Sequence, residues 1–136
     1  MSAAVRYLQH HPAVDRPRLG AIGFSLGAHW TLWLANQHPN IVDAVVLFYG
    51  TSGGRFRKTQ AAFLGHFAEN DVWGAGSQSV QALEERLRAA GREVTFYTYP
   101  NTQHWFAEED RPEAYQAQAA QVAWDRTIAF LESRLA

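Results

Sequence analysis

The chain has 136 residues, of which 47% are hydrophobic and 13% aromatic, and its formal net charge is -1. This composition predicts one soluble globular domain over residues 1–136 and excludes a disordered chain. Because the charged residues form no basic stripe and cysteine is absent, we expect no nucleic-acid partner, no disulfide framework and no thiolate metal site.

Membrane association is not expected either. No apolar run approaches the roughly 20 residues that a membrane span needs. The first seven residues lack a basic start followed by an apolar core, so no signal peptide is predicted. A cytoplasmic location is therefore the expectation.

Hydrophobic periodicity and turn residues predict alternating helices and strands along the chain. Ser2 is available as the N-cap of the first helix, and Asp15-Arg16-Pro17 is predicted to form a turn before the first strand. The predicted elements are a helix at 2–10, a strand at 18–24, a helix at 26–37, a strand at 41–49, a strand at 61–67, a helix at 77–90, a strand at 93–99 and a helix at 111–135.

This order of elements is typical of a parallel α/β sheet with right-handed crossovers. The segment 41–49 is almost continuously apolar, as in a strand that is covered on both faces, and the helix at 26–37 is apolar on most of its faces, which predicts burial. In such sheets the ligand site lies beyond the carboxyl ends of the strands. Chemically active residues are therefore expected directly after strands.

The segment Gly23-Phe24-Ser25-Leu26-Gly27 joins the first strand to the second helix. A Gly-x-Ser-x-Gly sequence between a strand and a helix predicts a nucleophile elbow, a sharp turn that holds the serine at the end of the strand. We expect Gly23 and Gly27 to prevent side-chain clashes in that turn. The pentapeptide alone also fits an ordinary glycine-rich turn, but the flanking strand and helix favour a nucleophile.

Two further polar residues follow later strands. Asp71 comes after the third strand and His104 after the fourth. A serine nucleophile needs a neighbouring base, and the base needs a carboxylate to fix its tautomer. Ser25, Asp71 and His104 occur in the order that α/β-hydrolases use. Taken singly, Asp71 also fits a turn or cap and His104 an exposed loop residue, and Glu69 is a reserve acid.

The other histidines fit structural roles better. His66 lies within the third strand and is predicted to be a hydrogen-bonded core residue, while His29 is predicted to pack locally one turn beyond Ser25. His10, His11 and His38 lie beside prolines or at helix ends. Since no H-E-x-x-H spacing is present, no metal site is predicted.

Several of these segments together resemble the dienelactone hydrolase family. They are the elbow, the strand end Phe48-Tyr49-Gly50, the Asp71 loop, the segment Tyr99–Phe106 with its Gln103-His104-Trp105-Phe106, and the tail from Tyr115 to Phe130. The resemblance covers nearly the whole chain. It implies an α/β-hydrolase fold, a nucleophile, acid and base at Ser25, Asp71 and His104, and hydrolysis of an ester or lactone without a metal or organic cofactor.

The chain departs from that family at three points. Ser25 stands where dienelactone hydrolases have a cysteine, which places the chain nearer to the family's serine esterases. Glu108 stands in the region where the resemblance implies an arginine that binds a substrate carboxylate. The chain also begins after the family's first strands, which implies a truncated α/β-hydrolase fold with about four mainly parallel strands flanked by helices.

The absent strands would carry one of two oxyanion-hole amides. The amide of Leu26 follows the nucleophile and is the donor that remains. Loss of one donor lowers the rate by about 10²- to 10³-fold. Without a neighbour, the strand at 18–24 would be a sheet edge, which predicts a two-fold homodimer.

The predicted reaction is hydrolysis of a small ester or lactone through a Ser-His-Asp triad and an acyl-enzyme. An apolar pocket of Trp30, Trp73, Trp105 and Phe106 is predicted, although ordinary core packing fits these aromatics too. The alternative is a weak or inactive hydrolase-fold fragment that binds a ligand or partner. A lyase or thioesterase that uses the same triad lies between these two.

Overall fold

The structure is a computed structural model that describes residues 2–15 and 18–136, so the Arg16-Pro17 part of the predicted turn lies outside the described residues. The elements in chain order are α1 (Ser2–His10), β1 (Leu19–Phe24), α2 (Leu26–Gln37), β2 (Val42–Phe48), β3 (Ala62–Ala68), α3 (Ser77–Ala89), β4 (Val94–Tyr99) and α4 (Ala117–Leu135). The strands form one parallel sheet in the order β1-β2-β3-β4. The predicted α/β architecture is confirmed.

The two central strands are buried between helices on both faces. Because successive side chains of a strand point to opposite faces, Val45 and Leu47 of β2 join the core formed with α2 and α3, whereas Val46 and Phe48 join the core formed with α4. Six of the seven residues of β2 are buried, and all seven of β3 are. The near-continuous apolar run at 41–49 is therefore explained by the covering of β2 on both faces, as the sequence predicts.

Helix α2 has the predicted bounds but only one buried face. Its buried residues are Ala28, Thr31, Leu32 and Ala35. Leu26, Trp30 and Trp33, spaced four and three residues apart on one side of the helix, are 69%, 46% and 38% exposed. We call these three residues the α2 stripe. The prediction of burial on most faces is wrong, because only the face toward the sheet meets an apolar partner in the described chain.

Helix α4 begins six residues later than predicted, at Ala117 instead of Arg111. The amides of Ala114 and Tyr115 both donate to the carbonyl of Arg111, which closes a turn, and the amide of Gln116 then donates to the distant carbonyl of Phe106. That last bond folds the segment back onto the loop after β4. The segment 111–116 is consequently a series of turns.

Of two helix ends with predicted end residues, one differs from the sequence expectation and one agrees with it. Ser2 is the first residue of α1, and its hydroxyl lies 3.0 Å from Nε2 of His38, so it links α1 to the end of α2 and does not cap its own helix. At the end of α3, Gly91 has a φ of 77°, as expected for the residue that follows the helix. Within the described ranges, no helix is both long enough and apolar enough to span a membrane.

His66 is the hydrogen-bonded core histidine that the sequence predicts. It is fully buried on β3, with Nδ1 2.9 Å from the Tyr99 hydroxyl and Nε2 3.0 Å from the Thr127 hydroxyl. Arg126 also donates to the Tyr99 hydroxyl, at 3.1 Å. Burial, together with the positive charge of Arg126, lowers the pKa of His66 to about 3.

The free energy of unfolding is expected to fall on acidification because of His66. Between its folded pKa of about 3 and an unfolded value of about 6.5, the unfolded chain binds more protons than the folded one. The contribution of His66 to the free energy of unfolding is therefore fully present above about pH 6.5. It is lost as the pH falls, so the free energy of unfolding should decrease by about 2 kcal/mol between pH 7.5 and pH 5. Denaturant titration of the wild type and of His66→Gln measures it.

The His66→Gln variant should show a pH dependence of the unfolding free energy that is shallower by that amount, because all other side chains are common to the two proteins. A direct reading comes from the imidazole signals in NMR, where His66 should stay neutral at pH 5. A His66 ring that titrates near its ordinary value would contradict this assignment.

Candidate active site

The turn after β1 holds Ser25 at the carboxyl edge of the sheet. Its backbone has φ 51° and ψ -116°, a strained conformation for a non-glycine residue. The Ser25 amide donates to the carbonyl of Phe48 on β2 at 2.9 Å, and its carbonyl accepts from Ala28 in α2 at 3.0 Å. The serine is thus fixed between the neighbouring strand and the first turn of the helix.

Two glycines allow this turn to pack closely, and one of them is not in the motif. A Cβ at Gly23 would overlap the carbonyl of Gly27, as the motif predicts. A Cβ at Gly50, which follows β2, would overlap the carbonyl of Ser25 and the side chain of Ala28. Gly27 has open space where a Cβ would lie, so within the described chain its predicted steric role is wrong.

Ser25, His104 and Asp71 meet at this edge in one hydrogen-bonded line. Nε2 of His104 lies 2.9 Å from the Ser25 hydroxyl, and Nδ1 lies 2.6 Å from Oδ2 of Asp71. The other Asp71 oxygen accepts the amide of Trp73 at 2.7 Å. The side chains of His104 and Asp71 are only 4% and 0% exposed. With both oxygens bonded, the carboxylate is aimed at Nδ1, which leaves Nε2 to face the hydroxyl.

The loops that carry Asp71 and His104 are also bonded to each other. The amide of Glu69 donates to Tyr99, the amide of Asn70 donates to Thr102, and the amide of Asn101 donates to the Glu69 carboxylate, at 3.1, 3.0 and 2.8 Å. Asn101 has a left-handed φ of 56°. Glu69, the reserve acid, therefore holds the turn before the histidine, and Asp71 is the carboxylate that reaches the imidazole.

Tyr49 is a residue of this region that sequence reasoning missed. Its ring lies 4.9 Å from that of His104, and its hydroxyl donates to Oε1 of Glu108 at 2.8 Å. Burial, together with the negative charge of Glu108, raises the pKa of Tyr49 well above its usual range, so the phenol stays protonated as a donor. The sequence signal that could have identified Tyr49 is its position directly after a buried strand, because Asp71 and His104 also follow strands.

A cavity of about 220 Å³ opens over the serine and histidine. Leu26, Tyr49 and Trp73 line it, together with the loop residues 50–52 and 74–75. No aspartate, glutamate, lysine or arginine of the described chain lines it. The cavity therefore suits a small uncharged group.

The structure separates the four aromatics predicted to line this pocket. Trp73 lines the cavity, and the ring of Trp105 lies beside it, 5.4 Å from Trp73 and 4.8 Å from His104. Phe106 is fully buried against Tyr49 and Tyr99, so it belongs to the core. Trp30 lies in the α2 stripe, outside the cavity lining. Phe106 and Trp30 therefore do not line the cavity, contrary to the prediction.

The amide of Leu26 has no hydrogen-bond acceptor in the described chain. As the first residue of α2 it has no intrahelical partner, because the first amides of a helix point away from it. Leu26 also lines the cavity over Ser25. Its N–H is thus available to an oxygen atom bound there.

All four non-glycine residues with left-handed φ in the described chain lie near this site. They are Ser25, Tyr49, Asn101 and Trp105, with φ of 51°, 38°, 56° and 71°. Such conformations are uncommon outside glycine and are found where the surrounding structure imposes them. The carboxyl edge of the sheet is therefore the strained part of this backbone.

Known proteins resemble this chain in sequence and in fold. The dienelactone hydrolase family model matches residues 1–135. A Bradyrhizobium protein named as a probable 2-oxo-3-(5-oxofuran-2-ylidene)propanoate lactonase is 32% identical over 99% of this chain and 58% of its own length. The carboxymethylenebutenolidase of Rhodococcus opacus is 27% identical over 92% of this chain and 54% of its own length.

Among solved structures, a dienelactone hydrolase-like promiscuous phosphotriesterase from metagenomic libraries superposes with a TM-score of 0.86. The match covers 99% of this chain and 60% of that one, at 22% identity, and it supports the α/β-hydrolase fold. The chain spans little more than half the length of these relatives. On the extent of the family match, this chain belongs to the dienelactone hydrolase family.

Proposed function

We propose that this protein is a serine hydrolase that cleaves small carboxylic esters or lactones. The observation that carries the proposal is the hydrogen-bonded line from Asp71 through His104 to Ser25. The family and the names of the lactonase and butenolidase relatives support the same class of reaction. The small neutral cavity over the serine supports an uncharged substrate.

In the first step, Ser25 Oγ attacks the carbonyl carbon of the ester while Nε2 of His104 takes the hydroxyl proton. Asp71 accepts a hydrogen bond from Nδ1 and stabilises the imidazolium that forms. The negative charge that develops on the carbonyl oxygen is stabilised by the N–H of Leu26. The intermediate collapses when the alcohol leaves with the proton from His104, and the acyl group stays on Ser25.

In the second step, water replaces the alcohol. His104 takes a proton from the water as it attacks the acyl carbon, and then returns that proton to Ser25 Oγ as the acyl bond breaks. The products are the carboxylic acid and the regenerated serine. One water is consumed for each ester or lactone bond that is cleaved.

Covalent labelling by a fluorophosphonate tests this proposal before any substrate is known. We expect labelling of one serine per chain, located at Ser25 by peptide mass spectrometry, and no labelling of Ser25→Ala. Ser52, which lines the same cavity, provides the matched control, since Ser52→Ala should label normally. If the folded wild type does not label, the alternative of a fragment that binds a ligand or partner without chemistry is favoured.

The Glu69 carboxylate is expected to support catalysis by holding the turn at Asn101. Glu69→Ala removes the acceptor for that amide, and the resulting displacement of His104 should lower kcat by about tenfold. Glu69→Gln keeps a side-chain acceptor and should retain most of the activity. Steady-state kinetics on an activated ester measure both, and thermal unfolding shows whether the fold is intact. Equal kcat values for the Ala and Gln variants would contradict a positioning role.

We also propose a two-fold homodimer. Strand β1 is the sheet edge next to the catalytic serine and pairs only with β2 in the described chain. Ile22 on this strand is 37% exposed, and the α2 stripe follows it. An open edge beside an apolar surface favours pairing with a second copy. Light scattering at micromolar concentration should give twice the chain mass, and a monodisperse monomer would overturn the proposal.

A further inference from the structure

A second concave surface is formed by α2, the loop after β2 and α3. It has a volume of about 450 Å³, larger than the cavity over Ser25. The residues that line it are His29, Trp33, Asn36 and Gln37 of α2, Gly53, Gly54 and Arg55 of the loop after β2, and Arg86 of α3. We call this surface the basic groove. It shares no lining residue with the cavity over Ser25.

The charge of the groove is entirely positive. Arg55 and Arg86 line it, no carboxylate does, and Arg57 and Lys58 follow closely along the same loop. None of these four cations forms an ion pair with a carboxylate in the described chain. In a protein with a net charge of -1, this is a local excess of positive charge that an anion would neutralise.

A second arginine-lined cavity differs from the basic groove because acids also line it. The cavity at the opposite end of the sheet, of about 540 Å³, is lined by three arginines and two acids. Arg18 pairs there with Asp43 and Arg134 with Glu93, while Arg92 donates to neutral oxygens, so most of the positive charge is compensated within the chain. The basic groove, in contrast, has two arginines and no acid among the described residues of its lining.

Several contacts fix the groove before any ligand binds. The guanidinium of Arg86 donates to the carbonyl of Gly54 at 2.9 Å and lies 4.9 Å from the centre of the Phe56 ring. The loop reaches this position through left-handed φ angles at Gly53 and Gly54, and the Gly53 backbone packs directly on the His29 ring. One N–H group of Arg86 is therefore held by a hydrogen bond, and the Phe56 ring contact also restricts the orientation of the guanidinium.

Trp33 supplies an apolar wall to this charged surface. It belongs to the α2 stripe and is 38% exposed. An exposed indole beside two guanidinium groups is suited to a ligand that is flat and apolar at one end and negatively charged at the other.

We propose that the basic groove binds an organic anion, with a phosphate or carboxylate group between Arg55 and Arg86 and a flat apolar part against Trp33. Guanidinium groups match both kinds of anion because each presents parallel donors to paired oxygens. This site stands independently of the proposed hydrolase activity, since the serine and histidine take no part in it.

Isothermal titration at low salt with 1-naphthyl phosphate and 1-naphthoate tests this proposal and distinguishes the two anions. We expect binding of one or both, weakened by added salt, and none of the neutral 1-naphthol. The double variant Arg55→Gln/Arg86→Gln should weaken binding at least tenfold. The control Arg88→Gln changes an arginine of the same helix that is paired with Glu84 and lies outside the groove, so binding should be unchanged.

Two of the exposed tryptophans, Trp33 and Trp73, form a second matched pair. Trp33→Leu should weaken binding of the naphthyl compounds, whereas Trp73→Leu, which changes the cavity over Ser25, should leave it unchanged. Absence of measurable binding for both anions would overturn the proposal. So would binding that is lost equally in Arg88→Gln, or binding that depends on Trp73 in place of Trp33.

Discussion

Replacing Ser25 with alanine is expected to lower kcat/KM for a short p-nitrophenyl ester by about 10⁴-fold or more, which leaves only the residual catalysis that substrate binding and the oxyanion donor supply. Only the hydroxyl in line with Nε2 of His104 can form the acyl-enzyme, because no other serine is bonded to that ring in the described chain. The variant should fold normally, since the change removes one oxygen that is partly exposed.

The matched control for this result is Ser52→Ala, which removes a hydroxyl from the same cavity without touching the imidazole. It should keep most of the wild-type rate. Circular dichroism and thermal unfolding of both variants exclude a folding defect. Turnover of Ser25→Ala at the wild-type rate would refute the nucleophile assignment.

Asp71→Asn is expected to lower kcat/KM by about 10⁴-fold, for a different reason. In the wild type, the carboxylate accepts a hydrogen bond from Nδ1–H, which keeps the ring proton on Nδ1 and leaves Nε2 as an acceptor for the serine hydroxyl. An asparagine amide can donate to Nδ1 instead, which places the ring proton on Nε2 and disables the base. Steady-state kinetics on the same p-nitrophenyl ester measure the loss of rate.

Glu69→Gln is the control for Asp71→Asn, because the two acids lie two residues apart on one loop and only Asp71 contacts the imidazole. It should change the rate little. If Glu69→Gln abolished activity while Asp71→Asn kept more than a tenth of it, the roles of the two acids would have to be exchanged.

The sequence predicted the parts of the fold that depend on local signals. Helix α2 begins and ends as expected because the elbow starts it and His38-Pro39 stops it. The strands were found because long apolar runs alternate with turn residues. The placing of Ser25, Asp71 and His104 followed from one rule of parallel sheets, that strand ends meet at one edge.

What the sequence could not show depends on contacts between distant segments. The start of α4 is displaced by a bond from Gln116 to Phe106, ten residues away, which no helical pattern contains. Phe106 and Trp30 are both aromatic, and only packing places the first in the core and the second on the surface. Tyr49 lies 4.9 Å from the His104 ring and has a left-handed φ of 38°, and neither the contact nor the angle has a signature in the residue itself.

The four left-handed residues around the site have a consequence for engineering this protein. Each strained position costs about 1–3 kcal/mol, and together they amount to a large share of the 5–15 kcal/mol that keeps a typical domain folded. A screen for heat resistance alone would therefore select glycine at Asn101, where the side chain forms no bond that the site requires. Such a variant would melt later, but glycine gives the turn before His104 more backbone freedom, so thermal resistance and turnover must be selected together.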